Sequence, residues 1–179
     1  MRRVWFALPG AALALAGCSG DTVGPSGGLR PDLVLGDMTP AQTDQLCEVN
    51  LSRTLEDPTY VSSLCRIVGV YNAASLGDAG RPDEELRRTC ELSEDECRTT
   101  VDDALADGDC GPLSSACRVT LAEYEACSAD YLEAIIQFAQ TLPTCFTVSG
   151  SDEIDVVMVE ELQPASCAVV EEKCPEVLG

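Results

Sequence analysis

From Thr39 onward, apolar residues return every three or four positions, the spacing of one face of an α-helix. Leu46, Cys47, Leu51 and Leu55 share such a face. Thr39 suits the N-cap, Pro40 the first helical position, and Gln42 completes a capping box, so a helix is expected to start there. Asp57-Pro58 interrupts it, and a second helix is predicted from Pro58 or Thr59 to about Leu76. Its stripe of Val61, Leu64, Cys65, Val68, Tyr71 and Leu76, widened by Ile67, Val70 and Ala74, predicts a central, well-covered helix. Gly77 and Gly80-Arg81-Pro82 end it.

The next stretch reads as two helices. A short one is expected over Asp83–Cys90, and Ser93 with Glu96 forms a second capping box that would open another. Cys97, Val101, Ala104 and Leu105 mark the buried side of that second helix, and Gly108-Asp109-Cys110-Gly111-Pro112 stops it. A short helical turn over Leu113–Cys117 follows. Thr120 and Glu123 make a third capping box, leading into the clearest pattern: Leu121, Tyr124, Cys127, Tyr131, Ile135, Phe138 and Leu142, flanked by Leu132 and Ile136 and ended by Pro143. Phe146–Gly150 reads as an exposed loop or short strand. Ile154–Leu162 fits either helix or strand, with helix preferred after Asp152-Glu153, and Pro164–Cys174 reads as a final short helix. The expected fold is mainly α: a small disulfide-rich bundle of about five to seven short helices, with room for one short strand or hairpin near the C-terminus.

Ahead of Thr39 the pattern changes. Met1-Arg2-Arg3 is followed by an uncharged apolar run from Val4 to Ala16, long enough for a signal-peptide core and too short to span a bilayer. Ser19–Asp37 is rich in Gly, Ser and Pro and reads as a flexible tether. The expected organisation is therefore 1–17 signal peptide, 18–38 modified cysteine and tether, and 39–179 a single stapled helical domain.

Leu15-Ala16-Gly17-Cys18 resembles the lipobox of bacterial lipoproteins. The resemblance implies a lipid thioether on Cys18, cleavage before it, and a chain held at a membrane by more than one acyl group. The other reading is an ordinary secretory peptide cut after Ala16 or Gly17, which leaves Cys18 a free thiol. Ser19, where an Asp often marks inner-membrane retention in that family, implies passage to the outer membrane, on its periplasmic face or at the cell surface. With the Thr39-Pro40-x-Gln42…Leu46-Cys47 opening and recurrent cysteines in short acidic helices, the whole chain resembles small cysteine-rich lipoproteins of myxobacteria. That likeness implies an address and oxidised cysteines but no activity.

Setting Cys18 aside leaves Cys47, Cys65, Cys90, Cys97, Cys110, Cys117, Cys127, Cys145, Cys167 and Cys174. An even number in an exported chain reads as five disulfides whose pairing the sequence does not give. Cys90/Cys97, Cys110/Cys117 and Cys167/Cys174 share a spacing of seven. In a continuous helix that puts the two about 10.5 Å apart, beyond the ~7 Å reach of a bridge. Helical Cys167 and Cys174 must therefore find different partners. Gly111-Pro112 leaves a local Cys110–Cys117 bridge open.

The net charge of −20 at pH 7 disfavours nucleic acid and anionic lipid as partners. The chain has no histidine, so Ser-His and Cys-His triads and histidine-dependent zinc sites are excluded. Lys173 has no serine three residues before it, no Cys-x-x-Cys occurs, and the G-x-S-x-G match at Gly24–Gly28 lacks a histidine base. The sole Trp, Trp5, lies in the predicted signal peptide, so the domain lacks the strongest sugar-stacking platform. Asp102, Asp103, Asp107 and Asp109 gather oxygen ligands near a helix end but do not match the EF-hand pattern; they are weak candidates for calcium. Tyr60, Tyr71, Tyr124 and Tyr131 fit a core better than a groove, and Asn50-Leu51-Ser52 matches a glycosylation acceptor inside a predicted helix. No catalytic residue or cofactor is expected. The main expectation is a non-enzymatic lipid-anchored envelope protein presenting an acidic helical domain to an unidentified envelope protein or a surface layer. A calcium or cationic-ligand module at 102–109 is the alternative, and a carboxylate-based hydrolase the third.

Overall fold

A computed structural model of the chain describes residues 27–77, 79–107, 114–150 and 162–174. It is a mainly α, disulfide-rich helical bundle, as expected. Five α-helices are described: α1 Pro40–Leu55, α2 Pro58–Gly77, α3 Asp83–Asp107, α4 Leu121–Thr141 and α5 Ala168–Lys173. Short 3-10 turns at Leu35–Asp37 and Ala165–Cys167 accompany them. Among the described residues there is no strand, only an isolated antiparallel bridge between Val34 and Thr120. No helix among them is long and apolar enough to cross a membrane.

Two of the three capping boxes form. At α1, the Thr39 amide donates to Gln42 Oε1 at 2.9 Å and the Gln42 amide to Thr39 Oγ1 at 3.4 Å. At α4, the Thr120 amide donates to Glu123 Oε2 at 2.9 Å and the Glu123 amide to Thr120 Oγ1 at 3.3 Å. Asp57 caps α2, its Oδ1 accepting from the amides of Thr59 and Tyr60, which is how Asp57-Pro58 both ends one helix and starts the next.

The Ser93–Glu96 box does not open a helix, and the expected break at Cys90–Ser93 is corrected. α3 runs unbroken for 25 residues. Between Asp83 and Asp107 there is no Gly or Pro, and Glu, Leu, Arg and Ala supply 13 of the 25 residues. A Ser with a Glu three positions on favours a helix start but does not force one, so good helix formers on both sides carry the helix through.

Backbone contacts gather into two compact units, each built from discontinuous segments. Unit 1 takes residues 1–52, 108–128 and 165–179; unit 2 takes 53–107 and 129–164. In unit 1, Leu35, Leu46, Leu51, Cys117, Val119, Leu121 and Val170 are buried. Segment 117–122 lies at its centre. Leu35 and Gly36 donate backbone N–H bonds to Val119 and Cys117, Leu121 and Ala122 donate to Leu33 and Pro31, and Arg118 donates to Lys173. The described part of the stretch expected to be a free tether is therefore docked, beginning with Gly27, whose carbonyl accepts from Gln45 Nε2 at 2.6 Å. Leu35, 1% exposed, anchors it, and a Cβ at Gly36 would overlap the carbonyl oxygen of Cys117 and stand 3.0 Å from that of Ser115. The expected helical turn over Leu113–Cys117 is, in its described part, a turn closed by Cys117 N–H to Ser114 O at 3.0 Å.

In unit 2, α2 packs along α3 and the C-terminal part of α4 completes the core. Tyr60, Ile67, Val70, Tyr71, Ala73, Leu86, Ile135, Ala139, Leu142 and Val148 form its cluster. Gly69 sits where α2 meets α3: a Cβ there would come within 2.8 Å of both the Cys90 carbonyl oxygen and Glu94 Cγ. Phe146–Gly150 proves to be a loop, with Phe146 82% exposed and Val148 fully buried. Residues 154–161, expected as helix or strand, lie outside the described residues; Leu162 packs against the core cluster.

Candidate functional site

Four disulfides are described, two in each unit. Cys117–Cys174 and Cys127–Cys167 staple unit 1; Cys65–Cys97 and Cys90–Cys145 staple unit 2. Cys47 is disulfide-bonded too, and its partner lies outside the described residues. Helical spacing separates Cys90 from Cys97 and sends them to different elements, α2 and the turn after α4. Cys167 and Cys174, at either end of the last helical stretch, likewise take different partners. The local Cys110–Cys117 bridge that the sequence left open is corrected, because Cys117 is joined to Cys174.

Of the weak calcium candidates, Asp102, Asp103 and Asp107 lie in the last turns of α3, and Asp103 is exposed. Asp109, like Cys18 and Cys110, lies outside the described residues. The tyrosines are core residues rather than the walls of a groove. Tyr60 and Tyr71 are 5% and 8% exposed, and Tyr124 OH accepts from Asn50 Nδ2 at 3.4 Å. Burial pushes the Tyr60 phenol up to about 12, with Tyr131 nearby adding to the shift. Asn50 is itself 4% exposed, which removes it as a surface acceptor for sugar.

Two polar arrangements stand out, one in each unit. In unit 1 the only lysine, Lys173, donates to Glu123 Oε1 at 2.6 Å. The same carboxylate accepts the Thr120 amide through its other oxygen. Lys173 first, and the Thr120 amide second, hold the Glu123 carboxyl down at about 2. One side chain thus caps α4 and ties it to α5.

In unit 2 the Cys90–Cys145 bridge gathers a charged shell that its sequence motif did not announce. Glu94, one turn beyond Cys90 on α3, brings a carboxylate oxygen into a group with the two sulfurs, all within 4.8 Å of one another. The sulfurs are bonded to each other and so offer no thiolate to a metal. Burial raises the Glu94 carboxyl above its usual range, while Arg98 and Arg66 pull the other way. Arg98 Nη2 stands 4.0 Å from Glu94. The Arg66 guanidinium is committed to the turn after α4, donating to the carbonyls of Leu142 and, at 3.2 Å, Pro143. Arg87 holds the far side of that turn through Val148 O at 3.4 Å. The i, i+4 spacing of Cys90 and Glu94 is visible in the sequence, but the arrival of Cys145 from 55 residues away is not.

No family model matches this chain, and neither a curated protein nor a solved structure does.

Proposed function

We propose that this chain is a non-enzymatic lipoprotein of a bacterial envelope, held at the outer membrane by lipid on Cys18 and presenting a rigid, acidic, stapled helical body for protein contact. The observation that carries the reading is the Leu15-Ala16-Gly17-Cys18 box behind a basic start and an uncharged apolar run.

Cysteine parity supports it. Eight cysteines pair among themselves and Cys47 is bonded elsewhere, which leaves Cys18 and Cys110 to account for. Assigning Cys110 to Cys47 gives a fifth bridge and leaves one sulfur, Cys18, for the lipid. A chain with this many bridges belongs in an oxidising compartment. The absence of histidine from the sequence, and a sole lysine engaged with Glu123, fit a body that presents a surface rather than performs chemistry. With the Gly27 carbonyl accepting from Gln45 Nε2 at 2.6 Å, the span from Cys18 to the body would be nine residues, at most about 32 Å when fully extended.

The test is Cys18→Ser in the full chain. Release of the protein from membranes into the soluble envelope fraction is the expected outcome, together with loss of a diacylglyceryl-sized mass from the mature form. Membrane retention of the variant, or an unlipidated wild-type chain by intact mass, overturns the reading.

A further inference from the structure

Among the described residues, two large apolar side chains of unit 2 stand in solvent: Phe146, 82% exposed, and Leu92, 59% exposed. The turn that carries Phe146 is held at both ends. Cys145 before it is bonded to Cys90, and Val148, two positions on, is fully buried. The amides of Thr147 and Val148 donate to Thr144 O at 2.9 Å, and the Thr144 amide donates to Thr147 Oγ1 at 3.1 Å. Arg66 grips the Leu142 and Pro143 carbonyls, and Arg87 the Val148 carbonyl. A ring fixed in water by a turn this well pinned has little conformational freedom left to lose when a partner covers it.

Charge selects the partner. Leu142–Val148 has no charged side chain of its own, and the two guanidiniums at its ends form no ion pair among the described residues. Asp83 meets this stretch only at Gly150, and Glu94, partly buried behind Cys145, is answered by Arg98 at 4.0 Å. A ring between two cations is complementary to an apolar spot bordered by carboxylates. Unit 2 carries such a spot on α3, where exposed Leu92 has Glu91, Asp95 and Glu96 beside it and one cation, Arg88. Leu92 lies two positions past fully buried Cys90, about 200° round the helix from the side that meets Cys145. The two spots therefore face apart and cannot cover each other within one molecule.

We propose that copies of this chain associate head to tail, the Phe146 turn of one molecule seating on the Leu92 strip of α3 of the next. Because the two spots lie on different faces, the contact is heterologous and propagates into a ring or an open array. It names a partner for the protein contact proposed above and rests on that reading to that extent. The Cys18 lipid plays no part, so failure of the anchor test leaves it standing. Repulsion between bodies of net charge −20 is screened beyond about 10 Å at physiological salt, and association is measured there. The test is sedimentation equilibrium of the oxidised full chain, diluted from the millimolar range. The wild-type mass should grow past the dimer with concentration. Phe146→Ser and Leu92→Ser should each stay monomeric with the fold intact, since both side chains are exposed. Mixed one to one, these variants should recover dimers and nothing larger, because one keeps the Phe146 turn and the other keeps the Leu92 strip. Asp95→Arg with Glu96→Arg should weaken wild-type association about threefold or more. A wild type that stays monomeric or stops at a dimer, assembly that either Ser variant retains, a mixture that stays monomeric, or an affinity indifferent to the charge reversal overturns the proposal.

Discussion

Cys90 and Cys97 sit two turns apart on the unbroken helix α3, and each is bonded to a different element, Cys90 to Cys145 and Cys97 to Cys65. The helix thereby becomes the spine of unit 2, tied to α2 near one cysteine and to the turn after α4 near the other. A peptic map of the unreduced protein at acid pH, with fragmentation of the linked peptides, should yield links for 65–97, 90–145, 117–174 and 127–167. A Cys90–Cys97 link would mean that α3 is broken between them.

Gly69 is where packing and helix propensity pull in opposite directions. Alanine is favoured over glycine in a helix interior by about 1 kcal/mol. Against that, the new Cβ would meet the Cys90 carbonyl oxygen at 2.8 Å, and a helix backbone yields less readily than a side chain. Overpacking of this kind costs roughly 1–3 kcal/mol. Gly69→Ala is expected to lower the denaturation midpoint, whereas an equal or higher midpoint would show that α2 and α3 can part at no cost.

The Lys173–Glu123 pair gives an acid limb. Glu123 has its folded carboxyl lowered to about 2 against an ordinary 4.5, so its contribution is complete above about 4.5 and fades as pH falls toward 2. Lys173→Met should move the Glu123 titration seen by NMR back up toward the ordinary range. The variant should also lose stability at pH 6, by less than about 1 kcal/mol because both groups are partly exposed. An unmoved Glu123 titration would place the depression in the Thr120 amide alone.

Alkaline pH acts through Tyr60. Its folded value near 12 exceeds the ordinary 10, so the buried neutral phenol stabilises the fold below pH 10 and that contribution drains away between 10 and 12. The loss should be of the order of 2 kcal/mol at the top of the window. Phenolate absorbance at 295 nm should lag behind that of the unfolded chain, and Tyr60→Phe should flatten the alkaline decline. A Tyr60 that titrates at 10 in the folded protein would contradict its burial.

Local chemistry was the legible part of this chain. The boxes at Thr39–Gln42 and Thr120–Glu123, the Asp57-Pro58 boundary and the stop at Pro143 all depend on residues within four positions of one another, and the structure places them as the sequence implied. Ser93–Glu96 failed by the same logic: a cap signal is permissive, and nothing near it disrupts a helix. The docking of Leu33–Asp37 was hidden because Gly and Pro make a segment look free, whereas Leu35 and the close approach at Gly36 depend on a surface more than 80 residues away. Glu94 was equally illegible as a site. Its neighbour Cys145 comes from 55 residues beyond Cys90, and no pattern along a line reports that meeting.

Segment 117–122 accepts and donates backbone bonds to the stretch near Leu35 on one side and to Lys173 on the other. Unit 1 is therefore closed by the two extremes of the described chain, and its last staple waits on Cys174. During vectorial synthesis, the two described bridges of unit 2 can form once Cys145 has emerged. The partners of Cys127 and Cys117 come later, Cys167 after 22 further residues and Cys174 after 29. Read from the N-terminus, the staples thus become closable from the middle of the chain outward.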